Sequence, residues 1–127
     1  MKKSPITSLY IHVRKAVASI IGEKDIYDYV PGGRAAYPLC YMGEVMQDDI
    51  ATKWWHGANV SFSLHFYTDK IKEKGSFYNL IGNCLMEIKR SKKSGFKLKN
   101  NHIMISGDNT TDKLLLHGIL ELEFEFL

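Results

Sequence analysis

The stretch Val60-Ser61-Phe62-Ser63-Leu64-His65-Phe66-Tyr67 alternates apolar with polar side chains along its whole length. Successive side chains of a strand point to opposite faces, so this pattern predicts a strand with one apolar face turned to a core. Strands buried on both faces would read as a continuous apolar run, so the alternation favours antiparallel neighbours. A second stretch repeats the pattern. Leu120, Leu122, Phe124 and Phe126 alternate with Glu121, Glu123 and Glu125 in a predicted final strand over Leu114–Leu127. That strand has an acidic outer face.

Between these strands the period changes. Phe77, Leu80, Ile81, Cys84, Leu85 and Ile88 recur at spacings of three and four, which predicts a helix over Ser76–Lys89. Lys89, Arg90, Lys92 and Lys93 crowd its C-terminal end, where cations favour the helix dipole. A further strand, with weaker alternation, is predicted over Phe96–Ser106, and Gly107-Asp108-Asn109 reads as a turn. Near the start of the chain Ser4 is a good N-cap and Pro5 suits the first helical position. Ile6, Leu9, Tyr10, Val13, Ala16, Val17, Ile20 and Ile21 then form one apolar stripe, closed by Gly22. Tyr27 to Val30 suits a short extended piece, and Tyr37–Met42 a short strand entered through Pro38. Gly43–Gly57 shows neither period and is expected to be a long irregular segment, functional or mobile.

The expectation is a single α+β domain over residues 1–127. Its sheet is antiparallel or mixed, with about four to five strands and two helices packed on one face. A chain of 127 residues with 45% apolar and 24% charged residues can hold a core without staples. No apolar run approaches the roughly 20 residues of a membrane span, and the basic start lacks the apolar stretch of a signal peptide. The chain is therefore expected to be made and used inside a cell. Cys40 and Cys84 are too few for a disulfide framework and read as small buried hydrophobes.

The net charge of +3 is unevenly spread. Residues 51–100 carry ten basic and three acidic side chains, whereas residues 101–127 carry one basic and five acidic. Opposite charges on different parts of one chain suit head-to-tail contacts between copies, or neutralise each other within one subunit.

No catalytic constellation, cofactor motif or metal set emerges. Gly32-Gly33-Arg34 lacks the spacing of a phosphate loop. The histidines show no i, i+4 pairing; His65 and His117 would meet only if their strands pair, and the surface reading is preferred. Asp48-Asp49, with only Glu44 nearby, reads as a solvated loop rather than a Mg²⁺-binding nuclease site. The basic cluster from Lys89 to Lys99 supports an alternative reading, a nucleic-acid-binding module, although only Phe96 interleaves it with an aromatic ring. Trp54-Trp55 points elsewhere. Two adjacent tryptophans in an irregular segment are hard to bury within one small domain, and tryptophan is enriched at interface hot spots.

In order and spacing, the chain resembles the small tail terminator, or tail completion, proteins of long-tailed phages. The residues that carry this are the helix Ile6–Ile21, Val30-Pro31, Ala36-Tyr37-Pro38-Leu39, Gly43-Glu44, Asp48-Asp49, Thr52-Lys53 and Gly57. The strand Val60–Tyr67, the second helix and His117-Gly118-Ile119-Leu120-Glu121-Leu122-Glu123-Phe124 complete the match. It departs from the pattern at Tyr67-Thr68, where a Trp-Ser is expected, and in the turn before the last strand. The resemblance implies a ring, typically of six subunits, at the head-proximal end of a virion tail. Such a ring caps the tail tube, ends its polymerisation and offers a surface for head–tail joining. Its implied partners are further copies of itself, the tail-tube protein and the head-completion connector, with transient contact to DNA in the lumen compatible with that role. It implies no catalytic residue, cofactor or membrane, and a time in the host cytoplasm during assembly. On this reading Asp48, Asp49, Lys53, Trp54, Trp55 and His56 contact a neighbouring subunit or the tube. Lys89, Arg90, Lys92, Lys93, Glu121, Glu123 and Glu125 lie on exposed or lumen-facing surfaces.

Overall fold

Helix α1 (Pro5–Ile21) opens the chain, and Ser4 caps it by accepting a hydrogen bond from the Thr7 backbone N–H at 3.1 Å. Such a cap contributes about 1 kcal/mol. Gly22 ends the helix at φ 99°, in the left-handed region that glycine enters without steric cost. After a short 3-10 turn come β1 (Ile26–Tyr27), β2 (Leu39–Ala51) and β3 (His56–Thr68), then α2 (Lys74–Arg90), β4 (Phe96–Asp108) and β5 (Leu115–Phe126). The computed structural model describes residues 4–32, 35–51, 56–109 and 113–126, and of His56 only the backbone.

The strands form one sheet in the order β1-β2-β3-β5-β4. The short β1 runs parallel to β2, and every other pairing is antiparallel. The expected α+β architecture is therefore observed, with five strands and two helices among the described residues. The alternation of β3 and β5 sorts as expected. Val60, Phe62, Leu64 and Phe66 stand in register with Phe124, Leu122, Leu120 and Gly118 on the face beneath the helices. Leu9, Val13 and Val17 of α1 and Phe77, Ile81, Cys84 and Ile88 of α2 close the same core. Each fully buried side chain of this kind contributes roughly 1.5–3 kcal/mol. Gly118 lies beneath α2, where an added Cβ would meet the tip of the Ile81 side chain.

Two sequence expectations need correction. Gly43–Gly57 is not one irregular segment: Gly43–Ala51 continues β2, and His56-Gly57 opens β3, in a long hairpin. Its glycines, acids and glutamine have weak strand propensity, but β3 supplies a complete partner ladder, and tertiary pairing overrides propensity. Residues 52–55, Lys53, Trp54 and Trp55 among them, lie outside the described residues. The second correction is at Gly107-Asp108, which extends β4 opposite Leu116 and Leu115 rather than forming the turn.

Two register shifts interrupt the ladders. One extra residue enters β2 between Met42 and Val45, and one enters β4 between Leu98 and Asn100. Such β-bulges re-aim neighbouring side chains.

Candidate functional site

The sheet face opposite the helices carries a cluster that depends on the β2 bulge. Tyr41, His65 and His117 come from β2, β3 and β5, and their rings stack in sequence at centroid distances of 5.0 and 5.1 Å. Tyr67 adds a fourth ring, 4.3 Å from His117 and nearly parallel to it. Within the stack, His65 Nδ1 lies 2.8 Å from His117 Nε2, and His65 Nε2 lies 3.0 Å from Glu44 Oε2. Gly43 makes room for this. A Cβ at that position would stand 2.7 Å from the Ser63 carbonyl oxygen and 2.5 Å from His65 Cδ2.

The electrostatics follow from the geometry. The hydrogen bond from His65 holds the Glu44 carboxyl below the usual carboxylate range. Burial, with His65 beside it, pulls His117 below the ordinary imidazole value. Burial first, then nearby acidic groups led by Asp108, raises the Tyr67 phenol. A carboxylate–imidazole–imidazole chain can hold and relay one proton. A second proton would set two N–H donors against each other across 2.8 Å. Among the described residues no group of three or more His, Cys, Asp or Glu side chains is placed to hold a metal ion.

A second feature lies at the other margin of the molecule. A cavity of about 380 Å³ opens where the end of α2 meets the start of β4. Its apolar lining is Ile88, Phe96, Leu98 and Phe124, and Lys89, Lys92, Lys93 and Lys97 stand around it. His12 of α1 fixes the turn below by a 2.6 Å hydrogen bond between its Nε2 and the Ser91 carbonyl. Lys89, Arg90, Lys92 and Lys93 are all exposed, and Arg90 pairs with Glu87 one turn back.

The acidic strand has partners inside the subunit. Glu125 stands opposite Lys97, and Glu123 lies 3.9 Å from Lys99 Nζ and accepts a 3.3 Å hydrogen bond from Asn100. Glu121 faces His102 and is exposed, whereas Glu123 and Glu125 are half-buried. Asp48 and Asp49 are exposed on β2 opposite Asn59 and Ala58, and Gln47 donates a hydrogen bond to Asp49 at 2.8 Å. The expected contact residues Lys53, Trp54 and Trp55 fall outside the described residues, and His56 begins β3.

Comparison with solved structures shows a likeness of fold. A chain in the solved structure of the virion of a native gene transfer agent particle superimposes with a TM-score of 0.54 at 16% sequence identity. The match covers 97% of this chain and 99% of that one, so the likeness of fold runs over nearly the full length of both chains. No protein-family model matches the sequence, and no curated protein matches it.

The basic cluster is legible in the sequence but its apolar floor is not, because Phe124 and His12 join it only through tertiary packing. In the sequence His65 and His117 read as surface residues that meet only if their strands pair. The strands do pair, and the side chain of His65 is only 12% exposed. Glu44 joins them because of a bulge that carries no signal in periodicity.

Proposed function

We propose that this chain is a structural protein of a phage-like virion that assembles as a ring on the head-proximal end of a tail tube, ends tube growth and provides the surface for head–tail joining. The observation that carries the virion reading is the likeness of fold, over nearly the full length of both chains, to a component of the gene transfer agent virion. The sequence resemblance to tail terminators supplies the finer role.

The sheet's edges support assembly. β1 covers only Cys40 and Tyr41 of β2, so among the described residues the outer edge of β2 from Glu44 onward has no strand beside it. β4 forms the opposite edge along all of its residues. Both edges display apolar side chains: Val45 and Met46 on β2 are 42% and 60% exposed, and Ile103 and Met104 on β4 are 38% and 54% exposed. Long open edges with apolar groups invite pairing with another chain. Contact between opposite edges of identical copies is heterologous, and closes into a ring when the rotation permits. The ring of six, the tail-tube and connector contacts, and the lumen-facing placement of Lys89, Arg90, Lys92, Lys93, Glu121, Glu123 and Glu125 belong to this proposal.

The test is assembly with tube protein. Polymerised tubes grown with this chain should stop at a ring-shaped cap visible by electron microscopy. Light scattering that shows only monomer at all concentrations, together with uncapped tubes, would refute the ring. The basic cavity favours a second reading, binding of nucleic acid. That reading predicts DNA retention that falls steeply with salt and is lost on Lys92→Glu with Lys93→Glu.

A further inference from the structure

We propose that the acidic outer edge of β2, centred on Asp48 and Asp49, docks into the lysine-rimmed cavity at the α2–β4 junction of the next copy. This contact rests on the ring reading and names the residues that would hold it together.

The register places the two surfaces at the same height. Reading across the sheet, Phe96 stands opposite Phe126, Phe126 opposite Ala58, and Ala58 opposite Asp49. The adjacent row runs Lys97, Glu125, Asn59, Asp48. The mouth of the cavity and the acidic pair therefore occupy one level on opposite edges of one sheet. In a ring whose axis runs along the strands, rotation without a rise brings matching levels of opposite edges together, and the acids meet the lysines without sliding.

The chemistry is complementary as well. The cavity offers lysines around an apolar floor of Ile88, Phe96, Leu98 and Phe124. Among the described residues no ion pair within the subunit engages Lys89, Lys92 or Lys93. The β2 edge offers Glu44, Asp48 and Asp49, all exposed, interleaved with the exposed Val45 and Met46. Carboxylates flanking apolar side chains fit a basic rim above an apolar floor. A phosphate backbone would use the rim and leave the floor unfilled. Charges of this kind fix register and partner choice more than raw affinity.

The experiment is a charge swap in the full-length chain. Variant one carries Asp48→Lys and Asp49→Lys; variant two carries Lys92→Glu and Lys93→Glu. Each alone should lose self-association, because each then presents two like-charged surfaces. An equimolar mixture should recover it, since the edge of each variant now matches the cavity of the other. Recovery by mixing also shows that both variants are folded. Carbodiimide coupling in a mixture of light and ¹⁵N-labelled wild-type chains should join Asp48 or Asp49 of one isotope to Lys92 or Lys93 of the other. Within one subunit, three strand spacings of about 4.8 Å separate these edges.

Wild-type association that survives in both variants, with cross-links mapping elsewhere, overturns the contact and leaves the ring standing. Wild-type protein that stays monomeric alone and with tube protein removes ring and contact together. DNA retention lost in variant two while its self-association is unchanged overturns the contact and assigns the cavity to nucleic acid.

Discussion

His65 and His117 face each other across β3 and β5 with Nδ1 and Nε2 2.8 Å apart, inside a stack closed by Tyr41 and Tyr67. The pair accommodates no more than one extra proton, which makes the open face of the sheet sensitive to acid. His117 has a folded-state value below its unfolded one, so the unfolded chain binds protons first as pH falls. Its contribution is complete above the unfolded histidine value near 6.5 and is lost as pH drops toward the folded value. Glu44, also depressed, adds a second loss at lower pH, below the unfolded carboxylate value of 4.5. Thermal unfolding followed by circular dichroism should show a falling Tm between pH 7 and pH 5. His117→Phe keeps a ring between His65 and Tyr67 but removes the titrating group, and should flatten that slope. An unchanged slope would assign the effect to another group.

Two glycines should respond differently to a methyl group. At Gly43 the added Cβ would meet the Ser63 carbonyl oxygen at 2.7 Å, a backbone atom held in the β3 ladder. At Gly118 it meets the tip of Ile81, which can change rotamer, with Phe77 and Ile105 next at 3.5 Å. Overpacking of this kind costs typically 1–3 kcal/mol. Gly43→Ala is expected toward the upper end, about 3 kcal/mol, and Gly118→Ala toward the lower, about 1 kcal/mol. Urea denaturation midpoints at neutral pH rank the two, and the reverse order would contradict the packing described.

What could be read from sequence follows from how local each signal is. The helices and the strands β3 and β5 were legible because their burial imposes a period within a few residues, as at Leu120-Glu121-Leu122-Glu123. The outer half of β2 was not. Among the described residues Glu44–Ala51 borders β3 on one side only and none of it is buried, so no alternation of burial is imposed on it. The cluster of Glu44, His65 and His117 needed the strand order and a bulge, neither of which any single stretch encodes. The role assigned to Trp54 and Trp55 falls outside the described residues.

Both thiols should be silent in the folded protein. Cys40 and Cys84 are fully buried, and burial pushes the Cys84 thiol up to about 12 and Cys40 higher still. Thiolate is the reactive form, so a neutral aromatic disulfide reagent at pH 8 should label neither until denaturant opens the core. Both should then react together, because they belong to one apolar cluster. Rapid labelling of one cysteine in native buffer would contradict its placement.

The exposed edges separate stability from assembly. Met104 on β4 and Met46 on β2 are 54% and 60% exposed. Surface substitutions of this kind usually change stability by less than about 0.5 kcal/mol. Met104→Lys should therefore leave the unfolding midpoint almost unmoved. The same change places a solvated charge on an edge proposed to meet another copy, a device that blocks edge-to-edge pairing. Sedimentation velocity should show the variant shifted toward monomer at concentrations where wild-type chains associate. Equal association would mean that the β4 edge lies outside the contact, whereas a large loss of stability would mean that Met104 is anchored in its own fold.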